Sequence, residues 1–140
     1  MNAVRTLAHP VQVIGDDLLV TQAAQVDNAA ARGLCNAVLI KPNQAGTVTE
    51  TRAALEAGRR AGFATIVSAR SGETEDATIA HLAVGWDAGQ IKVGSLARSE
   101  RMAKWNELIR IEEALGANAL FAGRGVLGGG GQAARLKNQV

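Results

Sequence analysis

Aromatic residues are scarce in this chain of 140 residues: 3% of the sequence, with two Trp, two Phe and no Tyr. That excludes the ring platforms on which proteins stack nucleic-acid bases. Net charge is only +2, so there is no excess of basic residues for binding a polyanion either, and no nucleic-acid partner is expected. Cys35 is the sole cysteine, which rules out an internal disulfide and suits a reducing cytoplasm. No apolar run has the length of a membrane span, and residues 1–10 lack the basic start and apolar stretch of a secretory signal, so no membrane partner is expected. What the chain does have is 47% hydrophobic and 20% charged residues, a composition that folds, and a length that suits one domain.

Four short apolar runs read as strands: Val11 to Gly15, Ala37 to Lys41, Ala64 to Ser68 and Gln90 to Gly94. Their starts are 26, 27 and 26 residues apart. Each is followed by a polar turn and then by residues with helical periodicity. Strand, turn and helix at a regular interval predict about four consecutive βα units with parallel strands, covered on both faces.

The helix signals agree. Gln22 to Arg32 is Ala-rich and stops at Gly33. Thr47 and Glu50 form a T-x-x-E capping box, and Gly62 lies past the end of that helix. A third helix opens at Thr74, Glu75 and Asp76, with Ile79, Leu82, Ala83 and Trp86 as its apolar stripe. Ser99 caps a last helix that presents Met102, Trp105, Leu108, Ile109 and Leu115 on one face. The region of βα units spans 1–122. The Gly-rich stretch 123–140 is expected to be a disordered tail.

In βα architectures chemistry gathers at the C-terminal ends of the strands. Those ends here carry Asp16 and Asp17, Lys41, Arg70 and Ser71, and Lys92. Carboxylates, ammonium groups, a guanidinium and a hydroxyl together suit metal-assisted work on an anionic substrate. Each also has a plainer role. Asp16 and Asp17 suit a turn cap as well as a metal ion. A lysine at a strand end is usually solvated. Arg70 and Ser71 are near enough in sequence to pair with Glu73 and cap the helix. Glu73, Glu75 and Asp76 suit the positive end of a helix dipole. Lys92 alternates with Ile91 and Val93 and so points to the opposite face. His9 and His81 stand alone without a role, and Trp86 and Trp105 read as packing residues.

These residues sit in stretches that resemble the C-terminal part of enolase, the phosphopyruvate hydratase of glycolysis. The stretches are Gly15-Asp16-Asp17-Leu18, Leu39-Ile40-Lys41-Pro42-Asn43-Gln44 with Gly46-Thr47-Val48-Thr49-Glu50, Arg70 to Asp76, Gly89-Gln90-Ile91-Lys92, and Ala97-Arg98-Ser99-Glu100-Arg101 running through Lys104-Trp105-Asn106 to Arg110-Ile111-Glu112-Glu113. They follow one another in order over most of Val11 to Leu115. The resemblance implies an α/β fold: part of a (β/α) TIM-type barrel, its second half. It implies a lyase that dehydrates 2-phosphoglycerate to phosphoenolpyruvate with Mg2+. Asp16 matches a magnesium ligand, Lys41 the base that removes the proton beside the substrate carboxylate, Arg70 and Ser71 phosphate contacts, and Lys92 a substrate-binding lysine near the carboxylate.

Two substitutions depart from the family pattern. Ala69 stands where that pattern has a histidine, and Pro42 follows the lysine where an aliphatic residue is usual. Ala69 opens the alternative of a related lyase with an altered substrate. A complete barrel of this type has eight strands, and this chain supplies four. The further metal ligands and the general acid lie in the missing part, so the isolated chain is expected to be short of catalytic groups. A second alternative is therefore a non-catalytic half-barrel remnant that binds phosphorylated anions. Open sheet edges and an uncovered inner face invite association, and the expected partner is a second copy or a complementing chain.

Overall fold

A computed structural model of the chain describes residues 11–127. The regular spacing of the apolar runs is realised as β1 (Ile14–Gly15), α1 (Ala23–Arg32), β2 (Ala37–Ile40), α2 (Pro42–Ala45), α3 (Val48–Arg60), β3 (Ala64–Ser68), α4 (Thr78–Gly85), β4 (Gly89–Lys92) and α5 (Ser99–Leu115). The strands form one sheet in the order β1-β2-β3-β4, and every neighbouring pair is parallel. Each strand is followed by a helix and pairs with the next strand in sequence, as in part of a β/α barrel.

Alternation along the strands divides the apolar residues between two faces. Val38, Ile40 and Val67 pack with Val26 and Ala29 of α1, Ala54, Leu55 and Ala57 of α3, and Ile79 and Ala83 of α4. Ala37, Leu39, Ala64 and Ile66 form a second cluster on the other face. The register accounts for this: Ala37 pairs with Ala64 and Leu39 with Ile66, so like-facing residues lie side by side. The inner face was expected to be uncovered, yet all four of its cluster residues are buried in the single chain. Gln12 Nε2 donates to Gln90 Oε1 at 3.2 Å, tying the approach to β1 to β4 at the far side of the sheet. Gln90 Nε2 also donates to the Val126 carbonyl at 3.3 Å.

That last contact comes from a 3-10 turn at Gly123–Val126, within the stretch read from sequence as a disordered tail. Residues 128–140 of that stretch lie outside the described residues.

Local signals explain most element ends. Thr47 caps α3 as expected: its Oγ1 accepts the Glu50 N–H at 3.1 Å, and Glu50 Oε2 reaches back to accept the Thr47 hydroxyl at 2.8 Å. α1 stops at Gly33, which is left-handed. Gly58 lets α3 lie close on β2, since a Cβ there would sit 2.8 Å from Val38 Cγ1. Pro42 occupies the first turn of the short α2, where its missing N–H costs nothing.

Two expectations are corrected. The third helix begins at Thr78 rather than Thr74, because the polar side chains before it fold into turns. Thr74 Oγ1 accepts the Asp76 N–H at 3.3 Å, and Asp76 Oδ1 accepts the Thr78 N–H at 2.8 Å. α5 starts at Ser99 without a side-chain cap, and the residues it buries are Arg101 and Lys104. Ile109 and Leu115 of its expected apolar face are exposed.

Cys35 is buried in the helix-covered core. Burial pushes its thiol above the ordinary range, partly offset by the backbone N–H groups of Gly15 and Ala37. The folded thiol therefore ionises at higher pH than the unfolded one. Its contribution to stability is complete below the unfolded thiol's range and is lost as pH rises through the folded one. A chromogenic disulfide reagent is expected to react slowly with the native chain and rapidly in urea. Cys35→Ala is expected to flatten the alkaline decline of the urea midpoint. Equal reaction rates in buffer and in urea would contradict this placement.

Candidate functional site

The C-terminal edge of the sheet carries two groups of polar side chains. The first lies where β1 and β2 end. Lys41, 7% exposed, forms an ion pair with Asp16 through Nζ and Oδ1, and its Nζ lies 4.0 Å from Asp17 Oδ1. The Lys41 N–H donates to Thr21 Oγ1 at 3.1 Å, and that hydroxyl donates to Gln44 Oε1 at 2.7 Å. Thr21 is buried with a positive φ, so the loop after β1 is shaped to reach β2. Backbone and head group of Lys41 are thus both held.

The second group lies where β3 and β4 end. A cleft of about 320 Å³ is lined by Ala69, Arg70, Ser71, Lys92, Arg98 and Arg101, among others. Ser68 pairs with Lys92 in the sheet register, which brings the two strand ends level. Among the described residues, the side chains of Arg70, Ser71 and Lys92 make no ion pair or hydrogen bond. Three donor side chains without a protein partner around one concavity suit an oxyanion. Ile91 packs against the core while Lys92 is exposed, as the alternation predicts. Ala69 gives the cleft wall a methyl group and no polar atom.

The residues that hold this cleft, Arg101, Lys104 and Glu73, lie in stretches that carry the resemblance, but the sequence assigns them no part in the site. Arg101 donates from Nη1 to the Arg70 carbonyl at 2.8 Å and the Val93 carbonyl at 2.9 Å, and from Nη2 to the Ser71 carbonyl at 2.8 Å. Lys104, fully buried, pairs with Glu73 Oε2 at 2.9 Å and donates to the Thr74 and Glu100 carbonyls. Glu73 Oε1 accepts the Arg70 N–H at 2.6 Å. Glu73 therefore anchors the loop, instead of serving the helix dipole as its position suggests. Asp76 does serve the helix entry: the Thr78 N–H holds its carboxyl below the usual range. Besides lying in a stretch of the resemblance, Arg101 and Lys104 are three apart and hence on one face of α5. Trp86 packs on the core as expected. Trp105 is half-buried, with Nε1 donating to the Ser95 carbonyl at 3.4 Å. His81 meets Glu107 on the surface at 3.0 Å.

The carboxylates here do not make a magnesium site by themselves. No group of three or more His, Cys, Asp or Glu side chains placed to hold a metal ion occurs among the described residues. Asp16 is engaged by Lys41, and the Asp17 side chain is 92% exposed. Magnesium favours six hard oxygens in tight octahedral geometry, so these residues alone do not fit it. No helix among the described residues is long and apolar enough to cross a membrane.

A single parallel sheet whose strands each lead into a helix, with polar and charged side chains gathered at its C-terminal edge, defines a partial β/α-barrel domain. Comparison with family models adds that residues 1–128 match the enolase C-terminal TIM barrel domain, and the chain belongs to that family. The membership places it with the lyases of the enolase superfamily.

Proposed function

We propose that this chain carries the proton-abstracting and anion-holding half of an enolase-type site for the magnesium-dependent dehydration of 2-phosphoglycerate to phosphoenolpyruvate in glycolysis. The observation that carries this reading is the arrangement of Lys41, Arg70, Ser71 and Lys92 along one sheet edge, with Lys41 buried and its backbone and head group both held. Arg70 and Ser71 take the substrate phosphate, and Lys92 lies near its carboxylate. Lys41 Nζ accepts the proton on the carbon beside that carboxylate.

Asp16 occupies Lys41 Nζ, so the amine reaches a substrate proton only when that pair opens. The general acid for hydroxide departure and most magnesium ligands come from outside the described residues. A complementing chain that supplies the other strands fits these needs and covers the free edges of β1 and β4.

The test is phosphoenolpyruvate formation from 2-phosphoglycerate with magnesium, followed by the absorbance of the enol phosphate. It is run on the chain alone and mixed with the first half of an enolase barrel. Turnover in the mixture, lost in Lys41→Ala, is expected. A mixture shown by light scattering to have associated, yet inactive, would overturn the reading. Ala69 favours a second one, in which the same cleft binds a phosphorylated anion of other structure. Binding of such an anion without turnover of 2-phosphoglycerate would distinguish it.

A further inference from the structure

We infer that Arg101 is the positioning residue of the anion cleft: its guanidinium sets the backbone of Arg70 and Ser71 so that their side chains meet an anionic group. The inference rests on the reading of that cleft as an anion site and extends it to a residue on a different element.

Arg101 is 8% exposed. Among the described residues it has no carboxylate partner. Its donors are taken by three carbonyls, two from the loop after β3 and one from the end of β4. Burying a guanidinium without a counter-anion is unfavourable, and apolar packing at this position would be cheaper. The arrangement does two things that packing would not. The rigid fork binds the carbonyls of two successive residues, Arg70 and Ser71, and so fixes both peptide planes at once. The uncompensated charge lies in the cleft lining, where it adds to the field of Arg70 and Lys92.

Gly94, whose φ of +114° favours glycine, carries the chain off β4 past the Arg101 side chain, and a Cβ there would be in ordinary contact with Cδ and Nε. From the same face of α5, Lys104 holds Glu73, which in turn accepts the Arg70 N–H. The Arg70 peptide groups are thus gripped through the carbonyl by Arg101 and through the N–H by Glu73.

The test compares wild type, Arg101→Met and Arg101→Lys by hydrogen exchange and by affinity for inorganic phosphate, read from the Ser71 amide resonance. Arg101→Met is expected to speed exchange at the Arg70 amide, which Glu73 holds, by about tenfold or more while α1 and α3 keep their protection. Phosphate affinity is expected to fall about tenfold. Arg101→Lys, which keeps the charge and loses the fork, is expected to restore part of the affinity and little of the protection. If Arg101→Met does not fold, the Lys variant decides. Protection of the Arg70 amide equal to wild type overturns the inference, as does loss spread evenly over α1 and α3. Should wild type not bind phosphate, the anion reading of the cleft fails, while faster exchange confined to the Arg70 amide would still bear out Arg101 as the residue that sets this loop.

Discussion

Glu73→Ala is expected to lower the stability of the chain by about 3–5 kcal/mol. Among the described residues, Glu73 is the only carboxylate paired with Lys104, whose side chain is fully buried. An ammonium group in that position keeps the carbonyls of Thr74 and Glu100, which solvate it in part. They do not neutralise it, and an unpaired buried charge costs several kcal/mol. The Arg70 N–H loses its acceptor as well.

Replacing the pair together is a different matter. Glu73→Gln with Lys104→Met removes both charges and fills the space with an apolar chain of similar length. Such exchanges are often neutral or mildly stabilising. The double variant is therefore expected to be clearly more stable than Glu73→Ala, and a double-mutant cycle built on Glu73→Gln and Lys104→Met to show strong coupling. Urea midpoints measure all of these. A loss below about 1 kcal/mol for Glu73→Ala would place the pair among exposed ion pairs and contradict its burial.

The same pair shows where sequence reading reaches its limit. The strands are legible because parallel strands buried on both faces are apolar runs, and the βα repeat spaces them evenly. Chemistry at strand ends follows from that topology, so the sequence alone names Asp16, Lys41, Arg70, Ser71 and Lys92. α5 departs from its expected form because counting apolar residues assumes that a helix packs on apolar neighbours. Besides lying against α4, this helix packs on the loop after β3, whose backbone carbonyls take the cations of Arg101 and Lys104. The start of α4 shifts for a related reason. Thr74 and Asp76 look like a helix opening, but their side chains satisfy N–H groups in two successive turns ahead of it. The contact between Gln12 and Gln90 joins residues 78 apart, and no local pattern announces it.

Lys41 carries the second large effect. In the mixture with the first half of an enolase barrel, Lys41→Ala is expected to reduce phosphoenolpyruvate formation by about 10²–10⁴-fold, the usual worth of a positioned general base. Alanine also empties a buried position and leaves Asp16 without its partner, so the loss by itself mixes proton transfer with structure. Lys41→Met keeps the volume without the charge, and Lys41→Arg keeps the charge with a group that does not give up its proton. If Lys41 is the base, all three lose turnover alike, while Lys41→Arg retains the ion pair with Asp16 and the wild-type urea midpoint. If Lys41 serves only to hold Asp16 and the loop after β1, Lys41→Arg retains turnover. Turnover in Lys41→Arg within about tenfold of wild type would remove the lysine from the proton-transfer step and leave it as a structural partner of Asp16.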